Sequence, residues 1–233
     1  RLYASTMNTS MLLLAQRLDN ARLMLQAEIL LALTNGEDCH YNLLALMRLR
    51  DQAAPFPALR ALTEGMIGAV YWKQTDYQTA VEHFAWAANH FQRSADTFAE
   101  GRVLLTIARA QIAARQYGQA EKLLFHALPL LANTPSEFAA RFELGGLNLL
   151  IGKGGAALYH FDHILKHGEA WLNAQPLDTN AIQSALRHVL NSPSLDVLQP
   201  LIPLADQALG TLTLRLLIRQ AQELRQQLSQ TPS

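Results

Sequence analysis

Three histidines, His160, His163 and His167, follow one another at spacings of three and four residues inside the stretch YHFDHILKH. On a helix that spacing puts all three imidazoles on one side, where a pair four apart can chelate a divalent cation as in zinc sites. A metal needs further donors, however. Asp162 falls on a different side of the same helix, and no other Asp, Glu or Cys stands at ligand spacing on the histidine face. The expectation is therefore no metal centre. Two readings stay open for the imidazoles: a half-buried flank, with rings packed and ring edges hydrogen-bonded, or a pH-sensitive flank whose members charge together near neutral pH.

Other patterns that could carry chemistry dissolve on inspection. GGLNLLIGKGG, residues 145 to 155, resembles a phosphate-binding loop only faintly. Five residues separate Gly146 from Gly152 where the motif needs four, Gly154 stands where Ser or Thr should reach a metal ion, and the preceding segment reads as helix rather than strand. GKGG is better read as an inter-helix turn in which glycine supplies a positive φ. No serine sits in a strand-turn-helix elbow, and Cys39 beside His40 is a weak pair because sequence neighbours on a helix seldom face each other. Carboxylates are dispersed. No catalytic residue and no cofactor are expected, and an enzymatic role is not expected either.

The elements that position these residues are helices. Ala, Leu, Gln and Arg dominate, apolar residues recur at three- and four-residue spacing, and no run alternates with period two, so the chain reads as all-α. Breakers at 34 to 38, 54 to 57, 74 to 76, 133 to 136, 152 to 155, 175 to 179 and 191 to 194 divide it into about ten helices. Lys+Arg and Asp+Glu both number 19, and the basic residues are scattered, so nothing asks for a nucleic acid. Apolar stretches such as MLLLA and ILLALT are far shorter than a membrane span. A single cysteine excludes an intramolecular disulfide and fits a reducing compartment. The chain opens on Arg1 without a signal-peptide pattern, which reads as a trimmed or excised domain of a cytoplasmic protein.

One spacing recurs. Gly68, Ala80, Phe84 and Ala87 are followed 40 residues later by Ala108, Ala120, Leu124 and Ala127, and 37 residues after those by Gly145, Ala157, Phe161 and Ile164. Tyr77 and Tyr117 each stand three residues before the repeated Ala. Together with Tyr71 this pattern resembles the tetratricopeptide repeat (TPR), a helix-turn-helix unit with a small residue and Tyr on its first helix and Ala, three residues, Phe on its second. Small residues let the two helices approach closely while Tyr71 and Phe84 fill the space beside them. The periods exceed the family's usual 34, as in the TPR-like regions of bacterial regulators, and the family's Trp near the start of each unit is missing.

In the same register the histidines align. His83 and His160 follow their repeat Ala by three residues, His126 and His163 by six, His90 and His167 by ten. Six of the eight histidines thus share three positions, about a quarter turn from the packing stripe.

The resemblance implies a single domain over residues 1 to 233: a right-handed α-solenoid of stacked antiparallel helix pairs. A weak unit lies at about 20 to 52, clearer units at 60 to 93, 100 to 133 and 137 to 170, and helices over 178 to 229 continue or cap the stack. It implies a non-enzymatic scaffold that binds a protein or peptide along a concave surface, as the regulatory part of a larger bacterial protein. The alternative is a ligand-sensing domain of a signalling or transcription regulator that takes a small molecule or short signalling peptide. First helices are expected to line the concave side with Trp72, Lys73, Arg102, Arg109 and Phe142, whose cations favour an acidic or carboxylate-bearing partner. The domain is expected as a monomer or a homodimer, the Leu-rich helix at 209 to 217 being the contact in a dimer.

Overall fold

The computed structural model describes residues 39–174 and 201–230, with helical positions 21, 22, 24, 25, 28, 29 and 184 besides. Eight helices lie among the described residues: α1 Cys39–Gln52, α2 Pro57–Lys73, α3 Tyr77–Arg93, α4 Thr97–Ala113, α5 Tyr117–Leu130, α6 Pro135–Leu150, α7 Gly154–Ala174 and α8 Leu201–Gln230. The expected helices before α1 and between α7 and α8 lie outside the described residues. The chain divides into two compact units, Arg1–Arg115 and Gln116–Ser233.

In the first unit α1 packs on α2, α2 on α3 and α3 on α4. Its core joins Leu43, Leu46, Leu49 and Ala53 to Leu59, Ile67 and Val70, with Leu25 and Ile29 completing it. In the second unit α5 packs on α6 and α6 on α7, while α8 lies against both α6 and α7. Each helix resting on the next is the packing pattern of a helical solenoid.

The turns explain the unusual period. After α2, the Thr75 N–H donates to the Trp72 carbonyl (2.9 Å) and the Asp76 N–H to the Tyr71 carbonyl (3.0 Å). The Asp76 carboxylate then accepts from the Thr79 N–H (3.2 Å) and so opens α3. Ala95 and Asp96 repeat this: their N–H groups donate to Gln92 and Phe91, and the Asp96 carboxylate accepts from Ala99. One residue therefore ends the helix C-terminal motif and caps the next helix. Helices of 17 residues joined by such three-residue turns start every 20 residues, at Tyr77, Thr97 and Tyr117, which gives 40 per pair. With 14 residues in α5 and 16 in α6, the interval from Tyr117 to Gly154 shortens to 37.

The turn requires a left-handed residue. Gly152 supplies it in GKGG at φ 76°, as expected from the sequence. Four other turns use Thr75, Ala95, Arg115 and Asn133 at φ between 55° and 64°, and of these only Asn is at home there. A left-handed L-residue costs about 1–2 kcal/mol, partly offset because glycine loosens the unfolded chain by about 0.4–1 kcal/mol. Ala95→Gly should therefore stabilise the protein by about 0.5–1 kcal/mol. A urea midpoint that stays put or falls would contradict this.

The repeat positions are the packing positions. Ala80, Ala87, Ala108, Ala120, Leu124, Ala127, Ala157, Phe161 and Ile164 are fully buried, and Phe84 nearly so. A Cβ on Gly68 would lie 3.0 Å from the Ala80 carbonyl oxygen and from the Phe84 ring, and one on Gly145 would lie 2.5 Å from Phe161 Cε1. The approach at Gly145 leaves no room for a side chain, and that at Gly68 is tighter than an ordinary Cβ contact. The middle register spans the two units, with Ala108 in the first and Ala120, Leu124 and Ala127 in the second.

Candidate functional site: first-helix faces and two carboxylate–histidine clusters

On α2, positions 58, 62, 65, 69 and 73 form one stripe, as do 98, 102, 109 and 113 on α4, 40 residues further on. Both stripes face outward except at Leu105, the α4 position in register with Gly65, which is buried. Ala58, Leu62 and Lys73 are exposed, with Gly65 and Ala69 half-buried, and on α4 Phe98, Arg102 and Ala113 are exposed with Arg109 half-buried. A Cβ on Gly65 would meet nothing within 4 Å, so the α2 stripe is a shallow surface of small residues. The Arg102 guanidinium lies over the Phe98 ring, 5.8 Å from its centroid. In the second unit α6 continues the pattern with Gly146, also open, and exposed Leu150.

The three expected cations Lys73, Arg102 and Arg109 occupy these outward stripes. The two expected aromatics do not. Trp72 is half-buried and meets Phe84 edge-on at 6.4 Å between centroids, and Phe142 is half-buried against Phe161 at 5.8 Å. Both rings belong to the packing between first and second helices. Phe142 lies in the second unit and the other four in the first.

The histidines occupy three different environments. His160 is buried, His83, His90 and His163 are half-buried, and His126 and His167 are exposed. His83 donates from Nδ1 to the Glu64 carboxylate at 2.7 Å, since a carboxylate can only accept, and its ring stacks on Tyr71. Arg50 Nε stands 3.9 Å from the other Glu64 oxygen. His90 stacks on Trp86, and the Arg60 guanidinium lies over the Trp86 ring, 4.9 Å from its centroid. In the second unit Glu137 accepts from Arg141 Nε (2.9 Å) and from the Asn133 backbone N–H (3.0 Å), and His163 Nε2 lies 3.7 Å from it. Asp162, on the far side of α7, pairs with Arg225 of α8 at 2.6 Å.

Sequence reading missed Glu64, Glu137 and Arg141. Each carboxylate comes from a first helix and its histidine from the second helix of the same pair. Among the described residues no group of three or more His, Cys, Asp or Glu is placed to hold a metal ion.

Burial holds the His160 pKa below its ordinary 6.5, aided by the Arg141 charge and by His163. His163 is lowered first by burial, then by Arg141, His167 and Lys166, against an upward pull from Glu137. Both groups take up protons more readily when unfolded. Stability should therefore be greatest above about pH 6.5 and fall as pH drops below it, levelling once the folded histidines also protonate. His160→Leu should flatten that acid limb in melts between pH 5 and 8. A variant as pH-dependent as the wild type would show that His160 contributes nothing to it.

No protein-family model matches the chain, and no curated protein sequence matches it. Its fold is that of TPR-like helical-repeat proteins. BtubC (BKLC) from P. vanneervenii is similar at a TM-score of 0.64 with 12% identity, over 99% of this chain and 93% of that one. A putative kinesin light chain with nearly identical TPR-like repeats from Podosopora anserina gives 0.55 and 17%, over 88% and 98%. A Rap protein complexed with Competence and Sporulation Factor gives 0.53 and 15%, over 94% and 74%. No described helix is long and apolar enough to cross a membrane.

Proposed function

We propose that the chain is a non-enzymatic binding domain that senses a short peptide through its first-helix faces and passes that state to a protein it regulates. The observation that carries this is the outward α4 stripe of Phe98, Arg102 and Arg109, in register with the small-residue stripe of α2. An aromatic flanked by arginines is the usual make-up of an interface hot spot, and guanidinium groups favour carboxylate-bearing ligands. Support also comes from the Rap protein of the same fold, whose structure holds Competence and Sporulation Factor. A sensor accounts for that kinship better than a passive scaffold does. The reading takes the helix pairs as antiparallel and their stack as a right-handed superhelix, so that the first helices line its concave side. It also places the domain in the bacterial cytoplasm.

Affinity capture tests the reading. The wild type should recover a partner that an Arg102→Glu/Arg109→Glu variant loses, with binding weakened about 10-fold or more. Identical partners and affinities for the two proteins would remove the α4 stripe from the binding surface.

A further inference from the structure

We propose that the polar cluster between α6 and α7 is an acid-sensitive clasp: proton uptake by His160, His163 and His167 loosens α7 from α6, while the matching cluster between α2 and α3 holds. This does not rest on the peptide-binding reading. The two clusters occupy the same repeat positions with the charges exchanged. A shift of 77 residues, two repeat periods, carries His83 to His160, Trp86 to His163 and His90 to His167 on the second helices. On the first helices the same shift carries Arg60 to Glu137 and Glu64 to Arg141. In α2 the cation therefore comes first and the carboxylate one turn later, and in α6 the order is reversed.

The exchange decides what each histidine meets. In the first pair His83 Nδ1 donates to Glu64 at 2.7 Å, so a second proton on this ring completes an ion pair with a carboxylate already in place. In the second pair Arg141 stands in the position of Glu64. Its Nε is bonded to Glu137 (2.9 Å), and His160, only 6% exposed, has no hydrogen-bond partner for its buried Nδ1. A neutral ring tolerates this, because one of its nitrogens carries no proton and the buried one can be that nitrogen. A charged ring carries a proton on both. Nδ1 would then be a buried donor with no acceptor, close to a guanidinium.

The neighbours add to the repulsion. The rings of His163 and His167 lie 4.3 Å apart between centroids, so charging both sets like charges against each other, with the Lys166 ammonium acting on His163 as well. Glu137 is the carboxylate that faces the cluster, 3.7 Å from His163, and Arg141 and the Asn133 N–H already share it. The other helix on α7 is α8, which meets it through Leu214 and Ile218 over Gly168 and through Arg225 on Asp162, on the far side. Glu223 of α8 is bonded to Arg219 of the same helix, and Arg215 is exposed. Burial and then Arg141 hold His160 and His163 below the ordinary 6.5 while α7 is seated. An opened α7 therefore takes up protons more readily than a closed one, and opening becomes more frequent as the pH falls below about 6.5.

The test is hydrogen exchange of the whole chain at about pH 7.5 and about pH 5, corrected for the pH dependence of the intrinsic rate. Protection of the α7 amides from Leu158 to Gly168 should fall about 10-fold or more at the lower pH, the effect of one buried donor left without an acceptor. Protection of the α3 amides from Val81 to Phe91 should stay level in the same molecule. His160→Leu fills the buried site without a titrating ring and should keep most of its α7 protection in acid. So should Glu137→Arg/Arg141→Glu, which gives α6 the charge order of α2. Circular dichroism at about pH 7.5 checks that each variant is folded. Equal loss from α3 and α7, no loss from α7, or a folded variant of either kind that loosens as much as the wild type would each overturn the proposal.

Discussion

Phe161→Ala should destabilise the second unit by about 3–5 kcal/mol, the cost of emptying a buried aromatic site. Phe161 is fully buried, its ring rests on Phe142, and it fills the space left by the missing side chain of Gly145. The same contact predicts the converse change. Gly145→Ala would press a methyl group against Phe161 Cε1 and Cζ, 2.5 and 2.8 Å away, costing about 1–3 kcal/mol in overpacking. Better helix preference returns about 1 kcal/mol of that. The two substitutions should therefore couple. In Gly145→Ala/Phe161→Ala the new methyl occupies part of the vacated space, so the double variant should be more stable than the sum of the singles by at least about 1 kcal/mol. Urea unfolding of the four proteins measures this directly. Strict additivity would mean that the glycine and the ring do not share one space.

Glu64→Ala should cost about 2–3 kcal/mol, a large effect for a single polar side chain. Glu64 is 5% exposed and holds His83 by a 2.7 Å hydrogen bond, with Arg50 close to its other oxygen. Removing the carboxylate leaves a half-buried imidazole N–H without its acceptor, stacked on Tyr71 and unable to turn to water without losing that contact. Glu64→Gln keeps an acceptor and should lose less. Replacing both partners by Leu should recover much of the loss, because apolar groups of similar volume leave nothing unsatisfied. Thermal melts of the three variants rank these cases. A Glu64→Ala protein as stable as the wild type would show that water replaces the carboxylate at no cost.

What was legible in the sequence follows from how far its causes extend along the chain. Gly68, Ala80 and Phe84 were readable because close packing of adjacent helices demands small and large residues at fixed spacing, and the demand repeats. GKGG was readable as a turn because Gly152 is chemically suited to a positive φ. Thr75, Ala95 and Arg115 hold the same conformation with side chains that give no local sign of it, since the cost is met by the backbone hydrogen bonds of the turn. The carboxylate–histidine clusters were hidden for a different reason. Glu64 and His83 are 19 residues apart on successive helices, so only the helix crossing brings them together. Repeat register aligned His160 with His83, yet burial depends on what the neighbouring helix presents, and the two positions stand at different depths. Trp72 and Phe142 show the same limit. A half-buried aromatic near a packing stripe can turn to either side, and both turn toward the following helix.

The α8 leucines illustrate the intermediate case. Their density over residues 209 to 217 marked the helix as a contact, but the sequence alone does not separate Leu214 and Leu217, turned inward, from Leu209, Leu212 and Leu216, turned out. The division comes from Gly168 and Pro135, which fix the side on which α8 sits down.

The central claim is that a partner is held on the outward faces of first helices. Hydroxyl-radical footprinting with the captured partner bound tests it most directly, because exposed apolar reporters stand on both kinds of helix. Leu62 on α2 and Phe98 on α4 are 37% and 43% exposed, and Trp86 on α3 and Phe125 on α5 are 39% and 54% exposed. The account predicts that Leu62 and Phe98 lose reactivity on binding while Trp86 and Phe125 keep theirs. Protection of Trp86 and Phe125 with Leu62 and Phe98 unchanged would place the partner on the second helices and contradict it.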